Sequence, residues 1–152
     1  MKQKLIIRLH NNSLFEESFD ELKQVFKLKK EILNIEYSSD DINKLILKSN
    51  LMVICYDSTL IYKLLNTNVP FLIYIPSKIN FMKKEVKKDF YDLKSQNILF
   101  FSKVKLKKQI KKIWHNTDDW WNQKEKIKII KKLKNKYSEP DLSNFNFKRK
   151  KF

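Results

Sequence analysis

The chain has no glycine among its 152 residues, where a protein of this length ordinarily carries on the order of ten. That absence removes whole classes of chemistry. The Walker phosphate loop, the G-x-G-x-x-G dinucleotide turn and the G-x-S-x-G nucleophile elbow all need glycine where the backbone turns sharply or approaches a ligand closely. Any anion site must therefore use helix amino ends and side-chain hydroxyls. Cysteine is nearly as scarce: Cys55 stands alone, which excludes an internal disulfide and a cysteine-built zinc cage. His10 and His115 are too isolated to supply a metal site, and no metal or cofactor is expected. Long apolar runs are also missing. None passes about six residues, against the roughly 20 that a bilayer span requires, and the opening MKQKLIIRLHNNS lacks a signal-type apolar core. The expectation is a soluble cytoplasmic protein.

Arginine is the next scarcity. The net charge is +16, yet only Arg8 and Arg149 are arginines and the rest of the positive charge is lysine. Clustered positive charge attracts phosphate polyanions, but arginine is the side chain that forks onto phosphates and guanines. By position, residues 103–152 hold 17 basic and 5 acidic side chains. The bias thus belongs to the carboxyl third. A solvated lysine face accounts for it most simply, an anionic membrane surface comes next, and nucleic acid ranks last.

What is present is a regular alternation. KLIIRL (4–9), ILNIEY (32–37), LMVIC (51–55), PFLIYI (70–75) and ILFF (98–101) read as short strands, the third apolar throughout as for a strand buried on both faces. Between them, Phe15, Phe19, Leu22 and Phe26 mark one helical face. Asp40 and Asp41 open a second helix with an acidic first turn. A third runs from about Ser58 to Leu65, and Phe81, Val86, Phe90 and Leu93 define a fourth. After the fifth strand the chain is helical: VKLKKQIKKIW, then one long helix from DDWW to Tyr137, with Thr117 as its cap and Ile127, Ile130, Leu133 and Tyr137 as its core stripe. Strand–helix alternation implies right-handed crossovers and a parallel sheet. The predicted fold is α/β, a Rossmann-like parallel sheet of about five strands with helices on both faces and a long C-terminal helix. Its domain spans 1–139, followed by a basic, flexible tail at 140–152.

The segment YDSTLIYKLLNTNVPFLIYI (56–75) concentrates the polar residues of interest. Asp57, Ser58 and Thr59 sit between a strand and a helix start, where fixed N–H donors and the helix dipole stabilise an anion. One of the hydroxyls caps the helix on the plainer reading, worth about 1 kcal/mol and needing no ligand. Asp57 repels phosphate and fits better orienting the turn or meeting a ligand hydroxyl. Tyr56 either stacks on a base or fills the loop. Arg8 and His10 end the first strand, on the same carboxyl edge if all strands are parallel. Arg8 is the one arginine before the tail.

The pieces LIIRLH, STLIYKLLNTNVP, FYDLKSQNILF and IWHNTDDWW, taken in this order, resemble the carboxyl-terminal half of a family of bacterial transferases of surface-polysaccharide biosynthesis, which are similar to GT-B glycosyltransferases. The similarity covers residues 4–137, and the pairing of DDWW with the STLIYKLLNTNVP step is its most specific part. The resemblance implies a nucleotide-sugar donor held at the carboxyl edge by Ser58, Thr59, Arg8, His10, Asp57 and Tyr56. It does not identify a catalytic base, and Tyr62 stands where the pattern has an acidic residue for the donor ribose. It further implies a reaction in a cleft against an amino-terminal acceptor half, so little or no turnover is expected from this chain without a separately encoded partner half. The alternative is a non-catalytic basic module on an anionic membrane or nucleic acid. A donor half at work on surface polysaccharide would be cytoplasmic, peripheral to the inner face of the membrane.

Overall fold

All strand pairings in the structure, a computed structural model that describes residues 4–7, 34–37, 41–55, 59–76 and 83–137, are parallel. The helix expected around Phe15 to Phe26, the side chains of Arg8, His10, Tyr56, Asp57, Ser58 and Phe81, and the tail lie outside the described residues. Two compact units divide the chain, Met1–Ile42 and Asn43–Phe152.

In the first unit β1 (Lys4–Ile7) pairs with β2 (Asn34–Tyr37), in register from Lys4 opposite Asn34 to Ile7 opposite Tyr37. Parallel neighbours cannot be joined by a tight hairpin, so a crossover connection is required between them.

The second unit opens with α1 (Ile42–Lys48), which starts at the boundary and runs into it. Asp41 precedes the helix, so the first turn itself carries no acid, contrary to expectation. Then follow β3 (Met52–Ile54), α2 (Leu60–Leu65), β4 (Phe71–Tyr74), α3 (Lys84–Ser95) and β5 (Leu99–Phe100). Three helices complete it: α4 (Lys103–Ile113), α5 (Thr117–Trp121) and α6 (Lys124–Tyr137). The sheet order is β3-β4-β5. Because the strands follow in sequence order, right-handed crossovers put α2 and α3 on the same face. Both helices pack against α6.

The central strand is the one buried on both faces. Phe71, Leu72 and Ile73 of β4 are all fully buried, whereas Val53 of β3 is 40% exposed. The apolar run LMVIC was expected to be covered on both sides; in this unit β3 is a border strand, and its second face is only partly shielded. Entry into β4 explains the asparagine–threonine–proline step. Thr67 is buried, its hydroxyl donates to the Leu64 carbonyl at 2.9 Å and accepts from the Val69 N–H at 3.3 Å, so the end of α2 is closed by a side chain. Pro70 has no N–H to offer, but its carbonyl accepts from Met52 at 2.9 Å and starts the ladder.

The exit of α3 shows how a glycine-free chain ends a helix. Asn97 takes φ 56°, the left-handed conformation that glycine usually supplies. The Ile98 N–H reaches back to Leu93 O and the Asn97 N–H to Lys94 O, both at 3.0 Å, the pair of bonds that defines a Schellman cap. Ile98 and Leu93 are buried beneath it.

The terminal helix differs from the single run that periodicity suggests. It breaks at Asn122–Gln123 into α5 and α6. Trp120 and Trp121, adjacent and about 100° apart on α5, immediately precede the break, and both are buried. Trp121 packs on Phe71 of β4 with centroids 5.0 Å apart, and Trp120 packs on Trp121 at 5.6 Å. Asn116, not Thr117, occupies the cap position of α5; the Thr117 hydroxyl donates back to Ile113 O at 3.0 Å. The core stripe of α6 is also rotated from the predicted one: Ile127 is 47% exposed, and the residue before it, Lys126, is buried.

Candidate functional site

Parallel pairing sends the carboxyl ends of β3, β4 and β5 to one edge, the side of an open α/β sheet where ligands are held. Three chain segments leave the strands there: the exposed Cys55 after β3, the buried Ile75 and exposed Pro76 after β4, and the partly exposed Phe101 and Ser102 after β5. The ladder extends as far as a bond from Ile75 N–H to Phe100 O at 3.0 Å. Cys55 is exposed as a residue, while partial desolvation raises the pKa of its thiol. A raised thiol pKa makes a poor nucleophile. Ser102 caps α4 from an extended conformation, its Oγ accepting from the Lys105 N–H at 3.5 Å.

Of the six residues the sequence put forward for this edge, the structure describes one. Thr59 immediately precedes α2, is exposed, and its carbonyl accepts from Tyr62 N–H at 3.1 Å and Lys63 N–H at 3.4 Å. Its hydroxyl makes no capping bond. The plain capping role is therefore not filled by the Thr59 hydroxyl. Arg8, His10, Tyr56, Asp57 and Ser58 are not placed by the described residues.

Among the described residues the structure also buries two charged side chains, Asp89 and Lys126, that the sequence did not single out. Asp89 of α3 is 3% exposed. Its Oδ2 accepts from the Tyr137 hydroxyl at 2.5 Å and from Lys136 Nζ, and its Oδ1 lies 3.6 Å from Lys132, which also bonds Asp92 at 2.6 Å. Burial on its own raises the Asp89 carboxyl; the hydrogen bonds from Lys136 and Tyr137 and the two lysine charges outweigh it and hold the pKa below the ordinary value. Tyr137 is raised by burial and by donating to Asp89. The Tyr137 ring lies 5.1 Å from the ring of Tyr62, so α2, α3 and α6 meet at this cluster. The signal was legible: Asp89 lies three residues after Val86 and four before Leu93, on the stripe already read as the buried face.

Lys126 of α6 is 2% exposed and has no carboxylate partner among the described residues. Its Nζ donates to Gln96 O at 3.0 Å and stands 4.8 Å from the centroid of the Trp120 ring. Burial, with a contribution from the nearby Lys112 charge, lowers its pKa. Both clusters join helices to one another. Lys126 fixes the α3 exit onto α5, and Asp89 fixes α6 onto α3.

A parallel, glycine-free sheet flanked by helices defines an open α/β domain without a glycine phosphate loop. The comparison with known families sharpens that class. The chain belongs to the LIC12162 family of transferases, whose model matches residues 1–140. No curated protein and no solved structure matches it. Among the described residues no helix is long and apolar enough to cross a membrane, and no group of acidic, histidine and cysteine side chains is arranged to hold a metal ion.

Proposed function

We propose that the chain is the nucleotide-sugar-binding half of a glycosyltransferase-like transferase of surface-polysaccharide biosynthesis, of GT-B type. The observation that carries the reading is the position of Thr59: it lies between β3 and α2, after the carboxyl end of a parallel strand, and its hydroxyl makes no capping bond, in a chain of a transferase family. Thr59 and Ser58 would hold the donor phosphates through hydroxyl and backbone donors, with Arg8 and His10 as further polar groups, Asp57 toward a sugar or ribose hydroxyl, and Tyr56 beside the base. In this reading the five strands form one Rossmann-like sheet with helices on both faces in a single domain over 1–139, and the segment 140–152 is a basic tail. A GT-B reaction takes place between two halves, so nucleotide binding by this chain is expected without turnover unless an acceptor-binding half is supplied. The location that fits is the cytoplasmic side of a membrane.

The test is a panel of nucleotides and nucleotide-sugars titrated into the purified chain by calorimetry, then repeated on Ser58→Ala/Thr59→Ala. Loss of hydrogen bonds to a charged phosphate should weaken binding by about 1–3 kcal/mol. If no member of the panel binds the folded protein, or the double variant binds as tightly as the parent, the donor assignment falls. Formation of glycoside by the chain alone would refute its dependence on a partner half.

A further inference from the structure

Two helices carry the basic excess of the carboxyl third, and the structure separates their roles. In α6 the apolar side is spent on α2 and α3, and Lys126, Lys132 and Lys136 are engaged with Gln96, Asp92 and Asp89. The outward face of α4 is different. Its six lysines, Lys103, Lys105, Lys107, Lys108, Lys111 and Lys112, make no ion pair among the described residues, and no Asp or Glu lies between Ser102 and Thr117. The buried side of the helix is marked by Gln109 and Ile113. On the opposite side Val104, Lys108 and Lys111 follow at i, i+4 and i+7, with Val104 64% exposed. Lys107 and the 45% exposed Trp114, seven residues apart, flank them.

We propose that this face of α4 docks the protein on an anionic bilayer. Charge complementarity names the occupant. The face combines unpaired lysine point charges with an exposed tryptophan and an exposed valine, the composition of an interfacial helix whose cations meet acidic headgroups while its indole settles at the headgroup level. A nucleic acid would be served by arginine forks, and α4 has none. The lysine stems can lie along the acyl boundary with their ammonium groups at the phosphates. The proposal stands independently of donor binding.

The chain carries its own reporter. Of its three tryptophans, Trp120 and Trp121 are buried and only Trp114 is exposed. Mixed with phosphatidylcholine vesicles containing about a third phosphatidylglycerol, the full chain should co-sediment and its emission should shift to the blue. With pure phosphatidylcholine neither should occur. The variant Lys107→Glu/Lys108→Glu/Lys111→Glu should lose at least about a hundredfold in partitioning, since each lysine near an anionic surface contributes roughly fivefold. The matched variant Lys124→Glu/Lys128→Glu/Lys131→Glu changes the net charge equally on α6 and should lose less than about tenfold. Trp114→Phe should abolish the shift. If the α4 triple variant folds poorly, Trp114→Ser carries the same test, with a loss of roughly tenfold expected from removing one interfacial anchor. Equal losses in the two triple variants, binding indifferent to lipid charge, or an unmoved Trp114 emission would each overturn the proposal. So would duplex oligonucleotides binding through these lysines in place of vesicles.

Discussion

Replacing Asp89 by asparagine tests the polar junction of α2, α3 and α6 with little change of shape. The carboxylate is buried and accepts from Tyr137 and Lys136. Bonds to a charged acceptor contribute about 1.5–3 kcal/mol and neutral ones about 0.5–1.5, so the Tyr137 bond should lose about 1 kcal/mol when the charge goes. The carboxamide also places an N–H pair among cationic donors without an acceptor, which costs about 1 kcal/mol more. The lysine ends are largely in solvent, where screening makes their share small. Asp89→Asn should therefore destabilise by about 2 kcal/mol at neutral pH, read from urea denaturation at unchanged m-value. Tyr137→Phe should lose about 1.5 kcal/mol, and the double variant should fall short of the sum by about 1 kcal/mol, because the two changes remove one shared bond. The pH dependence has a fixed sign. The folded pKa of Asp89 lies below the unfolded one, so its contribution is fully present above the ordinary carboxylate value and is lost as pH falls through the folded pKa. The gap between wild type and Asp89→Asn should close in that acid window. A loss under about 0.5 kcal/mol, or a gap that persists unchanged into strong acid, would refute the account.

Lys126→Met should leave stability within about 1 kcal/mol at neutral pH, since a buried amine of similar length is exchanged for an apolar side chain. Because the folded pKa of Lys126 is lowered, the unfolded chain binds more protons above it, and this group adds stability as pH rises from the folded pKa toward 10.5. Titrating the stability of both proteins into alkali should show that gain in wild type and not in the variant; parallel curves would remove Lys126 as its source. At Asn97, glycine should stabilise by about 0.5–1 kcal/mol and alanine should destabilise by about 1 kcal/mol, because the φ of 56° suits a residue without a Cβ. Denaturation midpoints moving in the same direction for both changes would contradict the left-handed assignment.

How far the sequence carries can be judged residue by residue. The run FLIY was legible as a strand, because a short β-branched and aromatic run after Pro70 has few other uses, and the structure puts it at the centre of the sheet. Parallel pairing followed from strand–helix alternation. The stripe of Phe90 and Leu93 was legible from spacing, but Asp89 on the same stripe was not recognised as buried, because its partners Lys136 and Tyr137 lie 47 and 48 residues away. Periodicity could not choose between Lys126 and Ile127, neighbours on the border of one stripe; the Gln96 carbonyl and the Trp120 ring decided it. The two tryptophans concealed the break after α5, since a helical pattern continues through Asn122 and Gln123 on paper. At the carboxyl edge, only Thr59 of the anticipated residues could be followed into the structure.

The seat of α6 across both α2 and α3 has a consequence for biosynthesis. A ribosome delivers β3, β4 and β5 with their crossover helices first, yet the helix that holds those two crossovers together emerges after all of them. Until Tyr137 has left the exit tunnel, the carboxylate of Asp89 has neither of its hydrogen-bond donors, and Leu64, Leu93 and Phe71 lack part of their cover. Nascent chains stalled before this point should be captured by chaperones and cut readily by protease, and those released beyond it should resist. The crossover helices of the second unit thus wait for α6 to seat them.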